Sequence, residues 1–220
     1  MSSSAGPDII TNGLVLHLDA ADRKSYPGSG TVWTDRSGNG NNGTFVNGSI
    51  YNSDNLGTFS FGGSNYINTS SNAITSLSGT LCFWIKSNNI RDIYNTHSAG
   101  FNQNTLWGEG SLLRLRIGNG SDPPDITINA SLVFDNNFHF VCTTWTTGGE
   151  SAIWLDGIKM ASGLNTLQFT PGSNLEIAYK SWAVTRFIGN IYSIISYNRA
   201  LTTQEIKQNF NATKSRFGLL

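Results

Sequence analysis

Residues 35–44, "DRSGNGNNGT", hold the spacing in this chain that most resembles a known chemical site. Gly38, Gly40 and Gly43 follow the G-x-G-x-x-G pattern of dinucleotide-binding loops. Such a loop binds a pyrophosphate only where a buried strand leads into it and a helix begins after it. The flanking residues here are rich in Gly, Ser and Asn and show no helical period, so they predict turns instead of a nucleotide site.

The same residues also begin like a calcium-binding loop. Asp35, Ser37 and Asn39 carry oxygen atoms at alternate positions, and the next residue, Gly40, permits a sharp turn. A twelve-residue calcium loop closes on a glutamate, whereas this chain has Val46 at that position. The residues favour a surface loop in which Asn and Gly adopt positive φ angles and side-chain oxygens bind backbone N–H groups.

The histidine spacing does not indicate a catalytic or metal site. His17, His97 and His139 lie too far apart in sequence to suggest a metal triad, and the chain has no G-x-S-x-G turn that would present a nucleophile. His17 and His139 fall within strand patterns. His97, in the stretch "YNTHSAGFNQN", is predicted to lie in a loop and is the histidine best placed to contact a ligand.

Aromatic residues offer a different chemistry, because their rings can stack on the apolar faces of sugars. Tyr94, Trp107 and Trp182 fall at strand ends or in loops. Together with His97 they are the candidate glycan-binding residues. The alternative for each is an ordinary packing residue at the end of the core.

Composition and charge exclude two classes of partner. Charged residues make up 13% of the chain and cancel to a formal net charge of zero. Arg114 and Arg116, two apart on one predicted strand, do not form the basic groove that nucleic acids require. No apolar stretch reaches the roughly 18 residues of a membrane span, and the N-terminus lacks the pattern of a signal peptide. We therefore expect no nucleic-acid or membrane partner, and synthesis in the cytoplasm without export.

The two cysteines, Cys82 and Cys142, each lie inside a hydrophobic strand pattern. Two cysteines do not make a disulfide framework. The sequence predicts two buried thiols.

Alternation of apolar and polar residues recurs along the chain and predicts ten or more strands. In "GLVLHLDA", for example, Leu14, Leu16 and Leu18 share one face. Asp156 and Gly157 separate the patterns "SAIWL" and "IKMAS", which is typical of a two-residue hairpin turn. Many short strands separated by turn residues indicate an all-β sandwich or barrel.

One helix is predicted near the C-terminus. Thr202 and Glu205 have the spacing of a capping box at the start of "TTQEIKQNFNA". Residues 1–11 are small and polar and predict a flexible N-terminal arm, and residues 12–220 predict a single domain.

Several stretches, in this order, resemble the laminin G-like branch of the concanavalin A-like lectin and glucanase superfamily. They include "FGGSNYI", "GTLCFWIKS", "AIWLDGIKMASG" and "FIGNIYSIISYNRALTTQEIKQNF", and the resemblance covers about residues 13–217. It implies a jelly-roll β-sandwich of two antiparallel sheets with one short C-terminal helix.

The opening of the chain, residues 18–44, and its "NFNATKSRFG" close resemble stand-alone domains of tailed-phage virion proteins. This resemblance implies a location in the virion and a structural, non-enzymatic role as a capsid decoration protein. Its partners would be other virion proteins, such as the major capsid protein, and further copies of itself, with a trimer as the expected homo-oligomer. The alternative is a carbohydrate-binding adhesin of the tail or head fibre that attaches to host cell-surface glycans.

The resemblance also supplies two chemical tests. Glucanase members carry an E-x-D-x-x-E strand, which this chain lacks, so no catalytic residue is expected. Many members hold calcium near an Asp that follows the G-x-I of the last strand, where this chain has Tyr192. We expect no cofactor, or at most a weakly bound Ca²⁺ at Asp35 and Asp19.

Overall fold

The computed structural model describes residues 7–53, 56–70, 73–74, 77–97, 103–118, 125–165, 174–179 and 186–219. Within these residues the chain forms 16 strands, two antiparallel sheets and one short α-helix. The architecture confirms the predicted jelly-roll β-sandwich with a C-terminal helix. No helix among the described residues is long and apolar enough to cross a membrane.

The strands are short and follow one another closely in the chain. In order they are β1 (Leu14–Asp19), β2 (Val32–Trp33), β3 (Gly43–Val46), β4 (Ile50–Asn52), β5 (Thr58–Gly62), β6 (Tyr66–Thr69), β7 (Ser78–Lys86), β8 (Tyr94–His97), β9 (Gln103–Glu109), β10 (Leu112–Gly118), β11 (Ile126–Asn129), β12 (Phe138–Thr146), β13 (Gly149–Leu155), β14 (Ile158–Asn165), β15 (Asn174–Ile177) and β16 (Ile188–Tyr197). The helix, α1, spans Thr203–Thr213.

The strands divide into two sheets. Sheet A has the order β14-β13-β12-β7-β16-β5-β4, and β1 pairs with the second half of β16. Sheet B has the order β11-β10-β9-β8-β15-β6-β3-β2. The edge strands β14 and β11 approach each other at one side of the sandwich.

Sheet B turns one complete row of apolar side chains toward sheet A. Directly opposed residues of antiparallel strands project to the same face, so register decides which side chains share the core. The row crosses six strands and consists of Phe45, Ile67, Ile177, Tyr94, Leu106 and Leu115. All six are buried in the main hydrophobic cluster.

The central strand β7 is buried on both faces, which explains its continuous apolar sequence. Leu81 and Phe83 face the space between the sheets, whereas Cys82 and Trp84 face a second cluster on the outside of sheet A. The helix α1 covers that outer face through residues such as Ile206. The molecule therefore has two apolar layers, and sheet A lies between them.

The predicted capping box at the start of α1 is present. The Glu205 backbone N–H donates to Thr202 Oγ1 at 3.3 Å, and the Thr202 N–H donates to Glu205 Oε2 at 2.9 Å. Arg199 donates from both terminal nitrogens to the same carboxylate, at 2.6 and 2.9 Å. Chiefly through this pairing, the pKa of Glu205 is lowered to about 2, so the cap stays ionised.

Part of the expected N-terminal arm is held against α1. The Ile10 N–H donates to Asn209 Oδ1, and Tyr197 Oη donates to the Ile10 carbonyl, both at 2.8 Å. Gln208 Nε2 donates to the carbonyl of Asp8. Residues 8–10 are therefore docked on the domain, because apolar Ile10 packs on the outer cluster while helix side chains bind its backbone.

The predicted hairpin at Asp156–Gly157 is confirmed. Both residues have positive φ, 52° and 82°, and they join β13 to β14. Asp156 Oδ1 also accepts a hydrogen bond from the Phe140 N–H at 2.8 Å. The aspartate therefore fixes both its own turn and the neighbouring strand.

The prediction of two buried thiols is wrong. Cys82 on β7 lies directly opposite Cys142 on β12, with the Cα atoms 4.1 Å apart, and the two form a disulfide. Each cysteine could be assigned to a strand from the sequence, but the register between the two strands could not. Register is what brings the two sulfur atoms together.

We expect the Cys82→Ala/Cys142→Ala double variant to lose up to about 4 kcal/mol of unfolding free energy, because the disulfide closes a long loop in the unfolded chain. Urea unfolding under non-reducing conditions measures the loss. As a control, the wild-type chain in denaturant without reductant should not react with iodoacetamide. Alkylation of both cysteines under those conditions would contradict the disulfide.

Candidate functional site

A row of polar side chains runs across the outer face of sheet B. Strand pairing places its members directly opposite one another, from β3 to β10. We call this set the polar row, and it consists of Thr44, Asn68, Glu176, Asn95, Thr105 and Arg116. Each member lies one residue from the apolar row of the core, so the polar row faces away from the core.

Two amides of the polar row have oxygen atoms that are buried and unbonded. Asn68 Oδ1 and Asn95 Oδ1 have no hydrogen-bond donor within reach among the residues that the structure describes. Between them, on β15, lies Glu176, whose Oε2 is 3.5 Å from Asn95 Nδ2. The three side chains place several hydrogen-bond acceptors side by side over about 10 Å, which is two strand spacings.

An aromatic pair flanks these acceptors. Tyr66 lies two residues before Asn68 on β6 and therefore on the same face. Its ring stacks on that of Tyr179, with centroids 4.3 Å apart and planes 16° apart, and the Arg186 guanidinium lies 4.8 Å from the Tyr179 centroid. Both tyrosines are half-buried, so they form a fixed aromatic platform.

Trp107, a candidate from the sequence, lies on this face at the other end of the polar row. It is on β9, two residues from Thr105, and is 7% exposed. The Arg116 guanidinium lies 5.2 Å from its ring centroid, and Asp125 accepts from Arg116 Nε at 2.7 Å. The indole is therefore covered by a guanidinium that an ion pair holds in place.

Tyr94 is the first residue of β8, but its side chain lies in the core and does not face solvent. It is fully buried, and its hydroxyl is 2.8 Å from Asn104 Oδ1 and 2.8 Å from Thr143 Oγ1. Burial raises the pKa of the Tyr94 hydroxyl, so the group stays protonated. Tyr94 belongs to the apolar row, because its β8 register puts it opposite Leu106 and Ile177.

The other two glycan-binding candidates are His97 and Trp182. His97 lies in strand β8 opposite Asn174, and not in the predicted loop. The sequence predicts a loop here because the Asn and Ser residues of this stretch obscure the alternation expected of a four-residue strand. Trp182 lies outside the described residues.

Asp35, one of the two candidate calcium ligands, is held by donors from its own loop and from β1. Its carboxylate accepts from the backbone N–H groups of His17, Ser37 and Asn41 at 2.8–2.9 Å, and from Ser37 Oγ at 2.7 Å. Gly38 and Gly40 have positive φ angles. This geometry is that of the surface loop favoured by the sequence, with the aspartate as its organising acceptor.

Asp19, the second candidate, lies at the end of β1 and pairs with the C-terminal segment. Its Oδ1 accepts from the Ala21 N–H and from Arg216 Nη1, both at 2.8 Å. Among the described residues, no group of three or more His, Cys, Asp or Glu side chains is arranged to hold a metal ion. A weak calcium site at Asp35 and Asp19 stays a prediction.

Sequence reasoning missed the central residues of the polar row. Glu176 is not among the candidate residues, although its position between Leu175 and Ile177 in "NLEI" is typical of an outward-facing residue of a strand. Asn68 and Asn95 could have been placed on strand faces in the same way. Their alignment across the sheet could not, because it depends on pairings between distant segments.

The family is decided by a sequence match. Residues 61–207, more than half of the chain, match the pattern of the concanavalin A-like lectin/glucanases superfamily. The chain belongs to this superfamily. No curated protein sequence matches it.

Solved structures of this lectin-like fold resemble the chain at low sequence identity. The binding domain of botulinum neurotoxin DC, in complexes titled with SialylT and with rat synaptotagmin II, is 16% identical, with TM-scores of 0.68 and 0.69. These matches cover 92% of this chain and 52% of the other, so the chain spans about half of the neurotoxin binding domain. Domain 4 of AbnA, a GH43 extracellular arabinanase from Geobacillus stearothermophilus, in complex with arabinotriose, is 14% identical with a TM-score of 0.63. That match covers 90% of this chain and 98% of the other.

We expect Asp35→Asn to lower the unfolding free energy by about 1–3 kcal/mol, because an amide nitrogen would face N–H donors that the carboxylate now accepts. Thermal and urea unfolding with and without excess chelator measure this loss. If Asp35 only organises the loop, the chelator leaves the wild-type melting temperature unchanged. A wild-type melting temperature that falls in chelator would instead support the calcium prediction.

Proposed function

We propose that this protein is a non-catalytic carbohydrate-binding module and that glycans bind on the outer face of sheet B. The observation that carries the proposal is the pair of buried, unbonded amide oxygens of Asn68 and Asn95 beside the Glu176 carboxylate. A buried acceptor without a donor costs about 1–3 kcal/mol. Sugar hydroxyls are donors that would relieve this cost, and they are closely spaced along a glycan. Asn68 is half-buried and reaches the surface of the sheet, whereas Asn95 is 1% exposed.

The aromatic platform supports the same ligand class. The stacked rings of Tyr66 and Tyr179 lie at one end of the acceptors, where a ring can pack against the apolar face of a sugar. Amide and carboxylate acceptors beside an aromatic surface are the combination that glycan recognition requires.

The position of the Glu176 carboxylate supports binding without hydrolysis. The carboxylates of Glu109 and Asp125, which both pair with Arg114, lie at the far end of the sheet. Glu176 on β15 and Asp125 beside β11 are four strand spacings apart, which is about 19 Å. Glycoside hydrolysis requires two carboxyl groups about 5–9.5 Å apart. We therefore propose that the polar row holds a glycan and does not cleave it.

The structural neighbours agree with this proposal at the level of ligand class. One neurotoxin binding domain was solved with SialylT, and the arabinanase domain with arabinotriose. The rat synaptotagmin II complex shows that the same fold can also bind a protein. The polar row favours a glycan here.

We expect Asn68→Leu to weaken glycan binding at least tenfold while leaving the unfolding free energy unchanged or raised. Leucine is close to asparagine in size and removes the unbonded buried oxygen, so the free protein loses an unfavourable group and the complex loses a favourable bond. A glycan array that includes sialylated glycans and arabino-oligosaccharides identifies the ligand, and calorimetry on the best binder measures the change.

The matched control is Asn211→Leu on α1, on the far side of the sandwich, which should bind as the wild type does. Glu176→Gln should also weaken binding, because an amide is a poorer acceptor than a carboxylate. No glycan above background, with and without calcium, would overturn the proposal. Equal binding by Asn68→Leu and wild type would overturn the assignment of the site.

We further propose that the setting of this module is a virion surface, as a capsid decoration or fibre component. The support is the resemblance of residues 18–44 and 209–218 to virion domains, together with one contact between these two segments. Asp19 of the opening segment pairs with Arg216 of the closing segment at 2.8 Å. The two segments that resemble virion domains are therefore in contact with each other. Major capsid protein and further copies of the chain are the proposed partners.

We expect purified phage particles from the source of this sequence to contain the chain in stoichiometric amount. Mass spectrometry of the particles and immunogold labelling with an antibody to the chain measure its presence and position. An antibody to the major capsid protein provides the positive control. Particles that lack the chain would overturn the virion setting and leave the glycan proposal to its own test.

A further inference from the structure

A cavity lies between the edge strands of the two sheets, away from the polar row of sheet B. Its volume is about 230 Å³. Leu115, Ile117 and Ile126 form its wall on sheet B, and Ser151 and residues 161–165 form its wall on sheet A. It therefore occupies the side of the sandwich at which β11 and β14 meet.

Ser151 places an unbonded hydroxyl in this cavity. The residue is 1% exposed, and its Oγ has no hydrogen-bond partner among the described residues. Ser151 faces the space between the sheets, because Ile153, two residues along β13, belongs to the main core. A buried hydroxyl without a partner is unfavourable, so a group that bonds it would be held strongly relative to an apolar one.

The shape of the cavity depends on a glycine. Gly163 on β14 lies directly opposite Ser151 on β13, so no side chain crosses the cavity at that position. A Cβ atom on Gly163 would lie 3.2 Å from Ile126 Cγ1, which is closer than ordinary contact. The edge strands β14 and β11 therefore approach closely at Gly163 and Ile126, and the cavity lies beside Ser151.

The lining carries no unpaired charge. Its charged residue is Asp125, which accepts from Arg114 Nη1 at 3.2 Å and from Arg116 Nε at 2.7 Å. A charged ligand would find no free counter-ion among these described residues. The rest of the lining is mixed: Thr127, Ser162 and Asn165 are polar, whereas Leu115, Ile117 and Ile126 are apolar. Leu164 at the rim is 69% exposed, which leaves apolar surface for a ligand to cover.

We propose that this cavity binds a small neutral alcohol, or a substituent of that kind, whose hydroxyl bonds Ser151 Oγ while its hydrocarbon part packs against Leu115, Ile117 and Ile126. A cavity of about 150 Å³ holds a benzene molecule of six heavy atoms. In proportion, this cavity holds a ligand of about nine heavy atoms. The site goes beyond the proposed glycan surface and does not depend on it, because the two use different residues of the sandwich.

Cyclohexanol and methylcyclohexane are the probes, since they match in size and differ in the hydroxyl. Titration of the full chain with each, followed by the NMR shifts of the Leu115, Ile117 and Ile126 methyl groups, tests the site. Both probes are expected to shift these methyls, and Ser151→Ala is expected to weaken cyclohexanol binding about tenfold, as the loss of one buried hydrogen bond predicts, without weakening methylcyclohexane binding. Shifts from neither probe would mean that the cavity holds only water and would overturn the proposal.

Ser151→Ala isolates the hydroxyl, because it keeps the shape of the wall. The variant is expected to lose affinity for cyclohexanol and to keep its affinity for methylcyclohexane, whereas the exposed control Ser215→Ala keeps both affinities. Ala161→Leu fills the cavity and is expected to abolish binding of both probes. An unchanged affinity of Ser151→Ala for cyclohexanol would overturn the assignment, and this readout does not require Ala161→Leu to fold.

Discussion

The register of sheet B is the constraint on which the rest of the structure depends. Because side chains alternate at every residue, one set of pairings places an apolar row in the core and a polar row on the outside. Ile67 and Asn68, or Ile177 and Glu176, are neighbours in sequence that end up on opposite sides of the sheet. A slip of one residue in β6, β15 or β8 would bury an amide or a carboxylate among aliphatic side chains. Fold and candidate site are therefore fixed by the same backbone hydrogen bonds.

The polar row carries a cost that the core must offset. Among the described residues, two buried amide oxygens remain without donors, and each opposes folding by an amount comparable to a lost hydrogen bond. The second apolar cluster, the disulfide and the docked helix stabilise the molecule on the other sheet. They add to the main core, to which both sheets contribute.

Much of the fold could be read from the sequence, because period-two alternation and turn residues are local signals. The Asp156–Gly157 hairpin, the capping box of Thr202 and Glu205, and most of the longer strands follow from neighbours in the chain. The four residues of β8 were predicted to be a loop, because residues rich in Asn and Thr do not display a period. Their strand conformation comes from pairing with distant partners, which is a tertiary effect.

The candidate site was harder to predict than the fold for the same reason. The sequence pointed to aromatic residues at apparent strand ends, and Tyr94 instead lies in the core. Residues 68, 95 and 176 come together only through two long-range strand pairings. The disulfide was missed in the same way, since spacing in sequence does not give the register between β7 and β12. Where a property depends on which strands are neighbours, composition and local period do not contain it.

The docking of residues 8–10 on α1 has a practical consequence. Both the first and the last described segments lie on the outside of sheet A, since residues near Ile10 and near Phe217 belong to the same apolar cluster. A label attached at residue 9 or at residue 219 would therefore lie on the helical side of sheet A. The outer face of sheet B would then point away from the label.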